Sequence, residues 1–218
     1  ILSTWDKAIE LKEKLIEQKK EQKKGLMQKL LTGKVRLPGF EGEWKKAHFD
    51  EIFDKLPLKK HQIKSSEYLN SGKYPVVDQG QKKVVAYSNN EEKVIKTPNT
   101  GLIIFGDHTR EIKFIDFDFV IGADGTQVLT TKNNNDVKFY YYHLLNQKIP
   151  NTGYNRHFKF LKEMIFYVPP LKEQKIISNI LSLFDKDLDL LESEISTLKE
   201  QKKGLMQLLL TGKVRVKV

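Results

Sequence analysis

The sequence contains no cysteine among its 218 residues. This excludes disulfide bonds, zinc sites built on cysteine thiolates and thiol nucleophiles, and it fits the reducing cytoplasm. Long apolar runs are also missing, since none reaches the roughly 18 residues that a bilayer-spanning helix needs. We therefore expect a cytoplasmic protein that has no membrane partner.

Sequence signatures of an enzyme are scarce. The five histidines are scattered and never form a His-Glu-x-x-His metal pattern. There is no glycine-rich phosphate loop and no Asn-Pro-Pro-aromatic motif of an amino-methyltransferase. We expect no catalytic residue, no metal site and no cofactor bound by this chain.

The charge balance favours a polyanionic partner. The chain has 38 Lys and Arg against 28 Asp and Glu, a formal net charge of +10, which suggests nucleic acid without proving it. The excess is uneven: residues 1–37 carry +5, residues 38–170 carry +3 and residues 171–218 carry +2. DNA binding by the middle segment would therefore depend on particular loops and not on its overall charge.

A long internal repeat organises the chain. Residues 21–37 and 200–216 are identical at fifteen of seventeen positions, at an offset of 179 residues. This period is far longer than that of a solenoid repeat. It indicates two copies of a helical segment on either side of a globular insert. Because the first residue is not methionine, we expect the sequence to be part of a longer protein.

Both copies of the repeat predict a coiled coil. In the second copy, apolar residues recur at alternating spacings of four and three for more than four heptads. The same frame in the first copy has lysines at three positions, Lys12, Lys19 and Lys23, whose stems can lie on the seam while their heads reach water. The predicted seam comprises Leu2, Trp5, Ile9, Ile16, Leu26, Leu30, Ile177, Leu181, Phe184, Leu188, Leu191, Ile195, Leu198, Leu205 and Leu209.

One helix leads into the insert and the other leads out of it. If they pair along their seams they run antiparallel, which predicts a two-helix rod with the insert at one end. The alternative is that both helices pack over the insert as part of its core. We expect Gly33 and Gly212 to end the helices in the left-handed conformation. The predicted domains are a first helix at 1–36, the insert at 37–170, a second helix at 171–212 and a tail at 213–218.

The insert has the composition of a strand-rich domain. Short runs of β-branched and aromatic residues alternate with turn residues. A helix is predicted over 136–147, with Asp136 as its cap. The fold class predicted for the chain is therefore α+β, a mixed α/β domain plus two long antiparallel helices. Strands are predicted at 74–78, 83–87, 102–105, 112–115, 117–121, 127–130 and 164–168.

Three loops of the insert have side chains suited to DNA. Arg and Lys can bond guanine edges or phosphates, Asn and Gln can bond adenine, and Gly and Thr allow a backbone to approach phosphate. For any one loop, an ordinary solvated surface is the competing interpretation. The candidate DNA-binding residues are Gln79, Lys82, Lys83, His108, Thr109, Arg110, Thr152, Tyr154, Asn155, Arg156, His157 and Lys159.

Two other functions stay open at this point. The segments Glu111-Ile112-Lys113 and Asp136-Val137-Lys138 have the acid-x-lysine spacing of a Mg²⁺-dependent nuclease, with Asp107, Asp118 and Asp124 nearby in sequence. Such triples are common by chance in a chain rich in Lys and Asp. The second alternative is a coiled-coil adaptor that does not bind DNA.

The chain resembles the specificity subunits of type I restriction–modification enzymes. The resemblance lies in residues 168–181, VPPLKEQKIISNIL, in the heptad helix, and in the repeated EQKKGLMQ-LLTGKVR segment at its end. Residues 74–80 and 122–129 of the insert are similar to the recognition domains of this family. The helix motifs are the more specific part, and the resemblance covers essentially the whole chain.

The resemblance implies a non-catalytic role. In this family each target-recognition domain reads one half of a bipartite site on double-stranded DNA. The paired helices set the spacing of the half-sites and dock methyltransferase subunits, which bind S-adenosylmethionine. A separate restriction subunit cuts DNA. Because this sequence has only one recognition domain, it is either half of a subunit or a half-size subunit that forms a homodimer.

Overall fold

The computed structural model describes residues 2–122, 124–153 and 155–215, and they form two compact units. One unit comprises Ile1–Lys29 with Asn179–Val218, and the other comprises Leu30–Ser178. Among the described residues, no helix is both long and apolar enough to cross a membrane.

The α+β fold class predicted from the sequence is confirmed. The helices are α1 Leu2–Leu30, α2 Phe49–Ile52, α3 Val137–Leu145, α4 Phe158–Lys162 and α5 Leu171–Leu210, and the strands are β1 Lys45–His48, β2 Phe53–Lys55, β3 Tyr74–Val77, β4 Ala86–Ser88, β5 Val94–Ile95, β6 Leu102–Gly106, β7 Ile112–Ile115, β8 Phe119–Ile121, β9 Thr126–Thr131 and β10 Ile165–Val168.

The helical unit pairs α1 with α5 in antiparallel fashion, as the sequence predicts. Ion pairs show the direction, because Asp6 meets Lys202 near one end of α1 while Lys23 meets Asp185 near the other. Between them a small apolar cluster is buried along the seam. This cluster contains Ile9, Ile16, Leu188, Leu191 and Ile195, with Leu198 packed against it.

The three seam lysines of α1 are matched by carboxylates of α5. The Nζ atom of Lys12 lies 2.6 Å from Glu194, that of Lys19 bonds Asp187, and that of Lys23 bonds Asp185. Their side chains are 34%, 26% and 15% exposed, so each stem lies on the apolar seam while its ammonium group meets a partner at the rim. The polar interruptions of the first copy therefore favour one antiparallel register.

Both long helices end shortly before a glycine, as predicted. Gly33 and Gly212 adopt φ values of 68° and 70°, the left-handed conformation expected where α1 and α5 stop. Two other glycines lie inside the helices, at Gly25 and Gly204. A Cβ added at either would meet nothing within 4 Å, so neither marks a close helix crossing.

The other unit is built on two four-stranded sheets and one two-stranded ribbon. The sheet orders are β2-β9-β6-β7 and β4-β3-β8-β5, and β1 pairs with β10. All pairings are antiparallel except that of β3 with β8. Successive side chains of a strand face opposite sides of a sheet. Val77, Ile121, Leu102, Ile104 and Val128 accordingly share one core cluster contributed by both sheets.

The start of α5 joins the domain through a buried glutamate and glutamine. The Glu173 carboxylate is fully buried and accepts hydrogen bonds from Arg36 Nε and Nη2, both at 2.8 Å, and from Trp44 Nε1 at 3.1 Å. The Gln174 side chain accepts from the Asp136 amide at 2.8 Å and donates to the Pro169 carbonyl at 2.9 Å. Within this unit, the Glu-Gln motif after the two prolines thus binds the first residues of α5 to the segment that precedes β1 and to the start of α3.

Candidate nucleic-acid interface

Strand pairing brings three loops to the same edge of the domain. Because β3 and β8 are parallel and Val77 lies opposite Ile121, the loops that follow both strands leave at one edge. In the other sheet Gly106, at the end of β6, lies opposite Thr126, at the start of β9. The loop after β6 is therefore beside the turn between β8 and β9. We call residues 78–83, 107–111, 124–125, 151–153 and 155–157 the loop edge.

Gln79 connects three parts of the loop edge. Its Nε2 donates to the carbonyl of Asp124 at 2.9 Å, and its Oε1 accepts from the backbone amide of His108 at 3.2 Å. Its own carbonyl accepts from Thr109 Oγ1 at 2.5 Å. Gly125 has a φ of 87°, and a Cβ there would lie 2.7 Å from the Gln79 amide. The glycine is therefore required for this close approach.

Asp107 fixes the fourth segment of the loop edge. It is 4% exposed, and its Oδ1 accepts from the Phe158 amide at 2.8 Å. Its carbonyl accepts from the His157 amide at 2.8 Å and lies 2.9 Å from Nδ1 of the same residue. These bonds place residues 151–153 and 155–157 beside the loop after β6.

The placement of His157 corrects one predicted DNA contact. Its side chain is fully buried, and its second ring nitrogen lies 3.4 Å from the amide of Thr152. A ring that is enclosed and bonded on both nitrogens has no access to a base edge. His157 therefore orders the loop that carries its neighbours and is removed from the candidate contacts.

A buried lysine donates hydrogen bonds to the loop after β3. Lys113 is 7% exposed, and its Nζ donates to the carbonyls of Asp78 at 2.8 Å and Lys82 at 2.6 Å. Burial lowers the pKa of Lys113, and the charges of Asp78 and Glu111 oppose this shift. The two carbonyls are thus bridged by one ammonium group, which fixes the loop between residues 78 and 82.

The other candidate residues differ in exposure. Arg110 is half-buried, has a φ of 64°, and places Nη1 3.5 Å from the carbonyl of Ile149. Lys83 lies 3.5 Å from Asp116 and stacks over the Phe117 ring. Gln79 and His108 are half-buried, and Tyr154 lies outside the described residues. The exposed candidates are Lys82, Lys83, Thr109, Thr152, Asn155, Arg156 and Lys159.

Comparison with known proteins places the chain in a family. The sequence model of the family described as Type I restriction modification DNA specificity domain matches residues 41–200. This range includes the whole loop edge and most of α5. The chain belongs to the type I restriction–modification DNA specificity family.

Curated members of the specificity family resemble the chain over different extents. The chain is 30% identical over 244 aligned positions to the specificity subunit of the type I restriction enzyme MjaX of Methanocaldococcus jannaschii, covering all of this chain and 56% of that protein. It is 28% identical over 110 positions to the EcoR124I/EcoR124II specificity subunit of Escherichia coli, covering 50% of this chain and 27% of the relative. The chain thus spans about half the length, or less, of these specificity subunits.

Solved structures show the same fold. The type I restriction–modification S subunit from M. genitalium superposes with a TM-score of 0.68 at 23% identity, over 94% of this chain and 57% of that one. A chain from a study of complex assembly and conformational transition of a type I R-M system gives a TM-score of 0.54 at 17% identity, over 95% and 57%. At these identities the likeness establishes the fold of a specificity-family chain.

The acid-x-lysine segments of this specificity-family chain have structural roles. Asp136 caps α3, accepting from the Phe139 amide at 2.6 Å, and Lys138 lies over the Phe114 ring. Asp118 is held by Lys96 at 2.7 Å and by the Thr97 amide, and both bonds lower its pKa. Within the part of the chain that the structure describes, no three His, Asp or Glu side chains are grouped to hold a metal ion. Asp136, Lys138 and Asp118 are thus engaged within the fold, and the nuclease alternative is not favoured.

Sequence reasoning missed two polar residues beside the loop edge of this family member. Gln62, which forms an isolated β-bridge with Ile121, donates from Nε2 to Asp124 Oδ1 at 2.7 Å. Gln127, on β9, has a buried side-chain oxygen without a partner among the described residues. Both residues line a cleft of about 280 Å³ with Lys55 and Asp124. No local sequence signal marks Gln62, because its position beside the loop edge depends on a hydrogen bond to Asp124, which lies 62 residues later in the sequence.

Proposed function

We propose that this chain is a non-catalytic DNA-reading subunit of a type I restriction–modification enzyme. The observation that supports it is the loop edge, where four segments with exposed Lys, Arg, Asn and Thr side chains meet in a member of the specificity family. Base edges in the major groove are read by such side chains when a rigid scaffold presents them. The loop edge would contact one half of a bipartite target on double-stranded DNA.

The helical unit would set the half-site spacing and bind methyltransferase subunits. Several leucines on α1 and α5 lie outside the seam, including Leu11, Leu183 and Leu190, which are 56%, 64% and 59% exposed. Leu183 and Leu190 are seven residues apart and so share one stripe of α5. Exposed leucines on a charged helix pair suit a protein partner. S-adenosylmethionine would then be bound by the methyltransferase and not by this chain.

A bipartite target needs a second recognition domain. We propose that it comes from a second copy of this chain or from another domain of the same protein, and that a separate restriction subunit completes the enzyme. Such an assembly would act on DNA in the cytoplasm. A two-fold pairing of identical chains would match a palindromic arrangement of half-sites.

The experiment compares DNA binding by variants of the exposed and half-buried arginines. Arg110→Ala and Arg156→Ala should each cost ~1–3 kcal/mol of binding free energy if the residue reads guanine. If the residue contacts phosphate instead, the variant should reduce by about 1 the steepness with which the logarithm of the binding constant falls against the logarithm of the salt concentration, which we call the salt slope. Fluorescence anisotropy of labelled duplexes at several salt concentrations, with methyltransferase subunits present, measures both quantities.

Lys96→Ala is the matched control. Lys96 follows β5, whose last residue, Ile95, pairs with Phe119 at the start of β8. Because the loop edge lies beyond the other end of β8, this variant removes one positive charge away from it. We expect binding by this variant to equal that of the parent protein. Equal affinity and equal salt slope in both arginine variants would remove the loop edge as the reading surface.

A further inference from the structure

We infer that Gln79 is a positioning residue that sets the base preference of Arg110, and that it does not itself contact a base. The inference rests on the proposed function, because it concerns how the loop edge reads DNA. Glutamine is a common adenine-binding residue, and the sequence alone places Gln79 among the DNA contacts. The geometry of its amide points to a different role.

The amide of Gln79 is engaged within the domain at both ends. Its Nε2 is bonded to the Asp124 carbonyl and its Oε1 to the His108 amide. Bidentate recognition of adenine requires a free amide oxygen together with a free amide nitrogen. Turning this amide toward a base would break both bonds and leave His108 N and Asp124 O without these partners. The side chain is therefore committed to holding the loop after β6 against the turn before β9.

Arg110 is the residue that this arrangement orients. Its φ of 64° is unusual for a residue with a side chain and persists only where the surroundings impose it. The Arg110 amide donates to the Gly106 carbonyl at 2.7 Å. The preceding residue is also held, because Thr109 Oγ1 donates to the Gln79 carbonyl at 2.5 Å and accepts from the Glu111 amide at 3.2 Å.

Gln79 contacts the two residues that precede this strained residue. The backbone of Gln79 holds the Thr109 hydroxyl, and its side chain holds the His108 amide, so residues 108 and 109 are both fixed by one residue of another loop. Releasing the side chain would let the loop relax and swing the guanidinium of Arg110 away from its direction. Base discrimination would then decrease although no DNA-contacting group had been removed.

The experiment measures base preference with the full chain and its methyltransferase partner. Duplexes from a randomised pool are selected by the assembled complex and sequenced, for the parent, Gln79→Ala, Arg110→Ala and the double variant. We expect Arg110→Ala to lower discrimination about 10- to 100-fold at one or two base pairs. Gln79→Ala should lower it at least about 5-fold at the same base pairs, and the double variant should resemble Arg110→Ala.

Two further readouts separate positioning from other roles. Gln79→Ala should leave the salt slope unchanged, because no cation near phosphate is lost. Asn99→Ala is the matched control, since it removes an exposed amide just before β6, at the opposite end of the strand from Gly106. It should change neither base preference nor salt slope.

Several results would overturn the inference. If Gln79→Ala alters a different base pair from Arg110→Ala and the two effects add, Gln79 contacts a base itself. Unchanged preference in either single variant would also refute it. If Gln79→Ala does not fold, the same base-preference measurement on Gln79→Glu tests the inference, because this variant keeps an acceptor for His108 N, loses the donor to Asp124 and adds one negative charge. Failure of both to fold would make Gln79 purely structural. If the parent complex shows no base preference at all, the proposed function fails instead.

Discussion

Acid should destabilise the recognition domain through one buried histidine. His143 on α3 is 2% exposed and packs against Phe166, with ring centroids 5.3 Å apart. Its Nδ1 lies 3.3 Å from Gln147 Nε2. Burial lowers the pKa of His143 to about 4. The folded protein therefore keeps the ring neutral at pH values where the unfolded chain, with an ordinary histidine pKa near 6.5, already binds a proton.

The sign and size of the effect follow from this difference. Above about pH 7 the ring is neutral in both states and has no linked effect on stability. As the pH falls from 7 toward 4, only the unfolded state gains a proton, so the free energy of unfolding decreases. The loss should be ~2 kcal/mol between pH 7.5 and pH 5, and ~3 kcal/mol once the pH is below both pKa values.

The measurement is urea unfolding at pH 7.5 and pH 5, for the parent and for His143→Phe. Phenylalanine keeps an aromatic ring among Phe139, Tyr140 and Phe166 but cannot titrate. A Trp5→Phe background makes the remaining fluorescence report on Trp44, which lies 6.3 Å from the Phe139 ring. The parent should lose ~2 kcal/mol more than His143→Phe on acidification. Equal decreases in the free energy of unfolding for the two proteins would show that the His143 ring is protonated in the folded state, contrary to this prediction.

Two predictions concern the helical unit. Leu191→Ala removes a seam side chain that is only 8% exposed and should lower the free energy of unfolding by about 2–3 kcal/mol in urea titrations; a change below about 0.5 kcal/mol would contradict the seam. Lys12→Glu should destabilise the pair of helices by placing like charges beside Glu194, and adding Glu194→Lys should recover most of the loss, of the order of 0.5–1 kcal/mol. Additive losses in the double variant would mean that the two side chains do not interact.

The helices could be predicted in most respects because their signal is local. Heptad spacing is contained within one segment, so the buried apolar cluster between the helices, the antiparallel pairing and the capping glycines Gly33 and Gly212 follow from the sequence. The carboxylate partners of the seam lysines could not be assigned in the same way. Their identity depends on the register between two helices whose paired residues, such as Lys12 and Glu194, lie 182 positions apart.

The strands divide according to how apolar they are. The strand Leu102–Gly106 is predicted because a continuous apolar run marks it, and Ile112–Ile115 is predicted because three of its four residues are β-branched or aromatic. The strand Lys45–His48 and the elements Phe49–Ile52 and Phe53–Lys55 were missed. Lys45–His48 is mostly exposed and contains two lysines, and it is a strand because it pairs with Ile165–Val168, more than a hundred residues later. No local pattern contains that information.

The loop edge was predicted as three separate loops, and its assembly was not. Their convergence depends on the parallel pairing of two strands that are not consecutive, with Val77 opposite Ile121. The same limitation explains the error at His157. A histidine in a polar loop has the composition of a DNA contact, and only the fold shows that Asp107 and Thr152 enclose its ring.

The bonds that shape the loop edge are made largely to backbone atoms. Gln79 bonds a carbonyl of residue 124 and an amide of residue 108, and Lys113 bonds two carbonyls of the loop after β3. Carbonyl and amide groups are present whatever side chains a loop carries. Substitutions at exposed positions such as Lys82 and Arg156 would therefore alter the base preference without removing a bond that holds the loops. If the loop edge reads DNA as proposed, a domain supported in this way can acquire a new target while its scaffold remains the same, whereas a substitution at Gln79 should disturb the reading at the base pairs that Arg110 contacts.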